Sequence, residues 1–389
     1  MLNVRSIKRV AFVFLFIHLV NCVSQPTEEK TLLFVGSYTD GKPSAGIHIY
    51  EFDQTTGNIK LLDSVENLIN PSYLEVAPNG RSLYSCLDSR MDYPGSVAAF
   101  EIDSVTGHLS FINKRTSGGR NPVHVSIDTK NRYVVSSNYN DAGLSIFKVQ
   151  DDLGLSQPLQ QLQFEDSSVI SGRQDKAHLH STNFYNEGNH LIGMDLGADK
   201  LRLFSVNGLG HSGHKPIELE DPNAVLVEPG DGPRHFVLHP NLPYGYCAQE
   251  LSGKISAFEF INQIPELIGR YDSYQHAMKN FATADVHISG DGKFLYASNR
   301  NEPENSISVF KIDLSDGTLN LVEHVKTGGD HPRNFVIDPS DGWLLTANLN
   351  SNNIVVFKRD KISGKLMPTD HLVKVNKPSC LKMRTYRIN

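Results

Sequence analysis

Five side chains with proton-transfer or anion-gripping chemistry, His180, Arg234, Glu250, Arg300 and Arg333, lie far apart in the sequence but at corresponding places of one repeated pattern. Guanidinium groups hold carboxylates and phosphates through paired hydrogen bonds and stabilise an oxyanion as it forms. An imidazole or carboxylate beside them can take a proton from water. Clustered arginines would keep Glu250 ionised and weakly basic and would hold His180 neutral at pH 7. That favours His180 as the base and Glu250 as the group that orients water or guanidinium; the reverse assignment stays open, because sequence gives no distances. The structural alternative is an ion-pair network that only plugs a channel, although buried ion pairs are poor stabilisers. No CxxC pair or HExxH segment occurs. The chemistry is therefore read as metal-independent and free of a cofactor.

The residues converge because of a repeat of about 50 residues, the spacing of propeller blades. Its clearest part is a β-branched strand closed by an aromatic and a turn, as in IHIYEFDQTTGNI from Ile47, VAAFEIDSVTGHL from Val97 and ISVFKIDLSDGTL from Ile307. Further copies begin at Leu144, Leu201, Ile255 and Ile354, which makes seven. Alternating apolar residues between Asp, Asn and Gly turns mark hairpins, so the fold class is all-β, a seven-bladed β-propeller. A Pro-led strand precedes most copies, and its first position is Ser72, Val123, His180, Arg234, Ala284, Arg333 and Ser379 in turn. Sixteen residues after each of the first six come Asp88, Tyr139, Leu196, Glu250, Arg300 and Leu349. Equivalent positions of inner strands form rings around a central channel. His124, His239 and His287 read as ordinary half-buried residues, and Asp195 and Asn299 as turn or backbone partners.

LLFVGSY at Leu32–Tyr38 lacks a preceding Pro-led strand, while KPSCLKM at 377 has nothing after it. The two should complete one blade, so that N- and C-terminal strands close the ring and no strand edge stays open. Residues 31–389 are then one propeller domain. Before it, Arg5, Lys8 and Arg9 precede the apolar run Val10–Val20, which is too short for a stable bilayer span. Residues 1–22 read as an export signal and 23–30 as a polar tether. Cys22 ends the signal in the manner of a lipoprotein processing site, with simple signal cleavage as the competitor because Asn21 is not the usual small residue. The expected location is periplasmic, or lipid-anchored at a bacterial envelope membrane through Cys22. Cys86, Cys247 and Cys380 are too scattered for a disulfide framework. The formal net charge of −6 argues against nucleic acid as a partner.

The segments KAHLHSTNFYNEGNHLIGMDLGADKL, GPRHFVLHP with YCAQEL, ADVHISGDGKFLYASNR and HPRNFVIDP resemble the bacterial propeller-type 6-phosphogluconolactonase family. They are also similar to the fungal 3-carboxy-cis,cis-muconate lactonizing enzyme. The likeness covers the whole mature chain. It implies a channel site of one His, two Arg and one Glu, which carry over as His180 in AHLHS, Arg234 in GPRH, Glu250 in AQEL and Arg300 in ASNR. The implied activity is hydrolysis of a sugar-type lactone carrying a negative charge, with Arg333 joining Arg234 and Arg300 in binding this small-molecule anion. Two other readings accompany it: a lactonizing or isomerising enzyme of the muconate type, and a non-catalytic exported propeller that binds glycans or partners. The last should show exposed aromatic loops, for which Tyr93, Tyr271 and Tyr274 are the candidates.

Overall fold

A computed structural model describes residues 28–207 and 215–388. They form seven four-stranded antiparallel sheets, the blades, and each sheet follows the chain outward from an inner strand. Blade 1 is the exception that closes the ring: its inner strand, Pro378–Ile388, pairs with Glu28–Ser37, followed by Ile47–Phe52 and Ile59–Val65. The register sets Leu33 opposite Met383 and Thr31 opposite Thr385, whose hydroxyls share a 2.7 Å hydrogen bond. The first strand starts at Glu28, so the last three residues of the expected tether join the sheet.

The aromatic that closes each repeat packs between blades. Tyr50, Phe100, Phe147, Phe204, Phe258, Phe310 and Phe357 are all buried. Each aromatic removed from water contributes up to about 3 kcal/mol, so the repeated position cements adjacent sheets. The turn after it is also repeated. In blade 1 the Asp53 carboxylate accepts from Thr55 N and Thr56 N, and Gly57 N donates to Asp53 O at 2.8 Å. Gly57 sits at φ 79°, a left-handed conformation that a side chain would strain, and Trp343 of blade 7 packs where its Cβ would stand.

The inner strands of blades 2 to 7 are Tyr73–Val76, Pro122–Ile127, Leu179–Tyr185, Pro233–Leu238, Thr283–Ile288 and Pro332–Ile337. They line the channel, and most begin with a bulge. In blade 5, Pro233 pairs with Gln249 and His235 with Ala248, which leaves Arg234 with no residue opposite. Val123, His180, Arg333 and Ser379 are skipped in the same way, and blade 6 skips both Ala284 and Asp285. A bulge redirects the side chain it carries. It lets the skipped residue and its successor, such as Arg234 and His235, both face the channel, which simple alternation forbids.

Candidate active site

At the end of the channel where the inner strands begin, Glu250 is the centre of a cationic cluster. It follows the second strand of blade 5, and its backbone N–H donates to Gly232 O at 2.8 Å. Arg234 Nε and Arg300 Nη2 both lie 2.9 Å from Glu250 Oε2, and Arg173 Nη2 donates to Oε1 at 2.6 Å. Backbone carbonyls aim the guanidiniums: Arg234 Nη1 donates to Ala284 O at 2.5 Å and Arg300 Nε to Ala282 O at 2.9 Å. Burial works to raise the Glu250 carboxyl, but Arg300, Arg234 and Arg173 together hold it well below the usual carboxylate range. Burial, then Arg300 and Arg333, pushes Arg234 down to about 9, which leaves it cationic at neutral pH. Glu250 is thus a fixed anion that organises three cations and a poor acceptor for a substrate proton.

His180 is buried on the bulge of blade 4, with its ring 5.7 Å from that of Tyr139 and 5.1 Å from that of His235. Burial first, then Arg234, His235, Arg333 and His124, hold its imidazole well below its ordinary pKa. The arginines act in the direction expected of them, although desolvation is the larger cause. An acid–base group and an ordered set of guanidiniums therefore share one wall of the channel.

Arg333 stands apart from the Glu250 cluster. Its guanidinium lies 5.6 Å from the centre of the Tyr38 ring, and Arg90 stacks on the same ring at 3.9 Å. His331 is held down to about 2, by burial first and then by Arg300, Arg333, Arg234 and Arg90. Among the described residues, five arginines gather around this mouth, and Glu250 is the carboxylate that three of them share. Sequence reasoning missed three of these residues. Arg90 lies two residues after the ring position Asp88, and His331 two before Arg333, so near-ring offsets carried a signal. Arg173 offered none, because it belongs to the stretch 164–178 outside the repeat. Gln174 anchors that stretch by donating to Leu196 O at 2.8 Å, and Ser168 Oγ does so by donating to Asp199 at 2.5 Å.

Deeper in the channel, residues at or just after the bulges form a second ring. Tyr73, His124, His235, Asp285 and Asn334 meet there; the His124 ring lies 4.3 Å from that of Tyr73 and 5.6 Å from that of His235. His124 and His287 were expected to be ordinary half-buried residues, and both prove to face the channel. His287 lines a cavity of about 310 Å³ at the opposite mouth, beside Glu75 and Lys382. His239 fits its ordinary reading, with Nε2 2.9 Å from Gly292 O. Asp195 accepts from His178 N and Arg202 Nε, and Asn299 donates to Ser273 O, so both are local partners. Tyr274 is not an exposed aromatic: it is buried, and its hydroxyl bridges Ala282 N and Arg300 O. Cys86, Cys247 and Cys380 are separate buried thiols, while Cys22 lies outside the described residues. No group of three or more His, Cys, Asp or Glu is placed to hold a metal among the described residues.

The family described as lactonase, 7-bladed beta-propeller, matches residues 32–383. A 6-phosphogluconolactonase of Formosa agariphila is 45% identical over 91% of this chain and 99% of its own length. The 6-phosphogluconolactonase of Bacillus subtilis is 33% identical, over 91% of this chain and 98% of its own. Among solved structures, the periplasmic gluconolactonase of Pseudomonas aeruginosa superposes with a TM-score of 0.85 at 30% identity, covering 92% of this chain and 99% of that one. Fold, repeat and family match agree: the chain belongs to the seven-bladed β-propeller lactonases.

Proposed function

We propose that this protein hydrolyses a sugar-type lactone carrying a negative charge, as its 6-phosphogluconolactonase relatives are named for doing, and that His180 is the base. The observation that carries this reading is the pairing of a neutral, buried imidazole with a carboxylate already committed to three guanidiniums. Water attacks the lactone carbonyl carbon as His180 takes one of its protons, and the oxyanion forms against Arg234 and Arg300. The ring C–O bond then breaks with its electron pair on the ring oxygen, which recovers the proton from His180. The new carboxyl group ionises and releases one proton to solvent. Arg333, with Arg90, grips the substrate's anionic substituent. That anion offsets the arginine field at His180 and raises its proton affinity when substrate is bound.

The charged start and apolar run Val10–Val20 support export, as does the periplasmic location in the name of the Pseudomonas relative. An exported enzyme would meet extracellular or periplasmic aldonolactones. Mass spectrometry of the protein from its host should find a mature start at or near Cys22; an intact Met1–Val20 in soluble cytosol rules export out. For activity, the mature protein is assayed by proton release on a panel of five- and six-membered sugar lactones, with and without phosphate or carboxylate. The reading predicts hydrolysis, fastest for charged members, that is lost in His180→Gln. Lack of hydrolysis across the panel, or unchanged rates in that variant, refutes it.

A further inference from the structure

Resting on that reading, we infer that Asp285 and His235 are positioning residues for the proton of His180, forming a buried relay behind the base. Asp285 is buried and saturated with donors. Its Oδ1 lies 2.6 Å from His235 Nδ1, and Oδ2 lies 2.9 Å from His287 Nε2 and also accepts from Asn334 Nδ2 and from Phe335 N. A carboxylate held this way is ionised, so the His235 nitrogen facing it carries the hydrogen. In a neutral imidazole the other nitrogen is then a lone pair. That atom, His235 Nε2, is buried with no hydrogen-bond partner among the described residues, and so are His180 Nδ1 and His124 Nδ1.

Three orphan nitrogens on three rings, with His235 lying 5.1 Å from His180 and 5.6 Å from His124, are a complementary set. One water accepting from His180 Nδ1–H and His124 Nδ1–H and donating to His235 Nε2 satisfies all of them, with the number of bonds usual for a buried water. The relay fixes the hydrogen of His180 on Nδ1 and leaves its Nε2 as the lone pair for the attacking water. Asp285 does for His235 what the carboxylate does in a Ser-His-Asp triad, one imidazole further from the chemistry. No proton leaves the channel by this route; the relay chooses which nitrogen of His180 is basic. The charged and titratable groups around His180 and His235 are Arg234, Arg333, Asp285, His124, His287 and Tyr73, with Lys382 lining the same cavity as His235. Burial first, then Arg234 and His287, lower the proton affinity of His235, and Asp285 raises it.

Asp285→Asn tests the idea, because its amide can donate to His235 Nδ1 and force the hydrogen onto Nε2. Nitrogen-15 NMR of the histidine rings reads the tautomers without any substrate, so its outcome stands apart from whether the protein is a lactonase. The expected result is Nδ1–H on both His180 and His235 in the parent, and a switch of His235 to Nε2–H in the variant. On the best lactone, kcat should fall about 10- to 100-fold with KM little changed, and the acid limb of the rate profile should move to lower pH. In a His180→Gln background the same substitution should cost nothing further. Should Asp285→Asn fold poorly, His235→Asn supplies the kinetic arm. The inference is overturned by Nε2–H on His180 in the parent, by unchanged tautomers or an unchanged pH profile in Asp285→Asn, or by an undiminished effect without His180.

Discussion

Glu250→Gln separates an organising carboxylate from a dispensable one. From the crowding of like charges in the sequence alone, loss of any cluster member should leave melting unchanged or relieve repulsion. The geometry divides them, since three guanidiniums share the one anion. Arg173 has a side chain 44% exposed and can turn to water, so its share of the pairing is screened. Arg234 and Arg300, 2% and 7% exposed, cannot. Leaving buried charges without their partner costs about 3–5 kcal/mol. At about 2 cal/mol/K of unfolding entropy per residue, a fold of roughly 350 residues loses about 1.4 °C per kcal/mol, which predicts a fall in Tm of about 4–7 °C at pH 7. Phosphate or sulfate should restore part of it by binding where the carboxylate charge was, and restore more for the variant than for the parent. Lactone hydrolysis should drop at least about a hundredfold, because the guanidiniums lose the geometry that meets the oxyanion. Calorimetry with and without added anion, beside initial rates, reads all of this. A variant that melts with the parent, ignores anions and keeps its rate would show that Glu250 organises nothing.

Three further outcomes follow from the same geometry. His124, His180, His235 and His331 are all held below their ordinary pKa, so the unfolded chain binds more protons than the folded one below about pH 6.5 and stability falls as pH drops; each fully depressed group contributes about 2 kcal/mol of loss between pH 7 and 5. The slope of Tm against pH should be shallower in His331→Asn, a residue type that tolerates the φ of 63° there, and a flat profile in the parent would contradict the assignment. Arg333→Ala should raise KM for a phosphorylated lactone about 10- to 100-fold, the worth of one charge-assisted hydrogen bond, with a much smaller change for its neutral counterpart; equal changes for both would remove Arg333 from anion binding. Deleting residues 377–389 strips the inner strand from blade 1 and exposes the edge of Glu28–Ser37, so the product should aggregate or melt without cooperativity, and a soluble, cooperative truncation would deny that this strand closes the ring.

The fold was legible because a propeller writes its period into the sequence. One aromatic per blade must fill the space between sheets, and in blades 1, 2, 6 and 7 an Asp-to-Gly turn reverses the chain after it, so both recur at nearly constant spacing. The closure was legible for a complementary reason: the element at Leu32–Tyr38 lacks a Pro-led strand before it and the Pro-led strand at 377 lacks anything after it, and pairing them is the solution that leaves no edge. The expected tether fell short by three residues because polar Glu28, Glu29 and Lys30 carry no apolar signal, yet backbone pairing with Tyr386–Ile388 asks for none.

The site was legible only as far as the repeat reaches. His180, Arg234, Glu250, Arg300 and Arg333 were found by ring position, and the first four occupy one arc of the channel, on blades 4 to 6. What alternation concealed is the bulge. A strand that alternates sends His235 to the opposite face from Arg234; a strand with one unpaired residue at its start turns both inward. The same device brings His124, Asp285 and Asn334 into the channel and converts one ring of residues per turn of the propeller into two stacked rings. In the mechanism proposed above, the upper ring, with its guanidiniums, meets the anion. The lower, built of imidazoles on a saturated carboxylate, can set where the hydrogen of His180 resides. A bulge in an inner strand is therefore a way to place a candidate site residue and its support side by side from consecutive positions, and LHS in blade 4, PRHF in blade 5 and ADVH in blade 6 are the short sequences that carry those bulges.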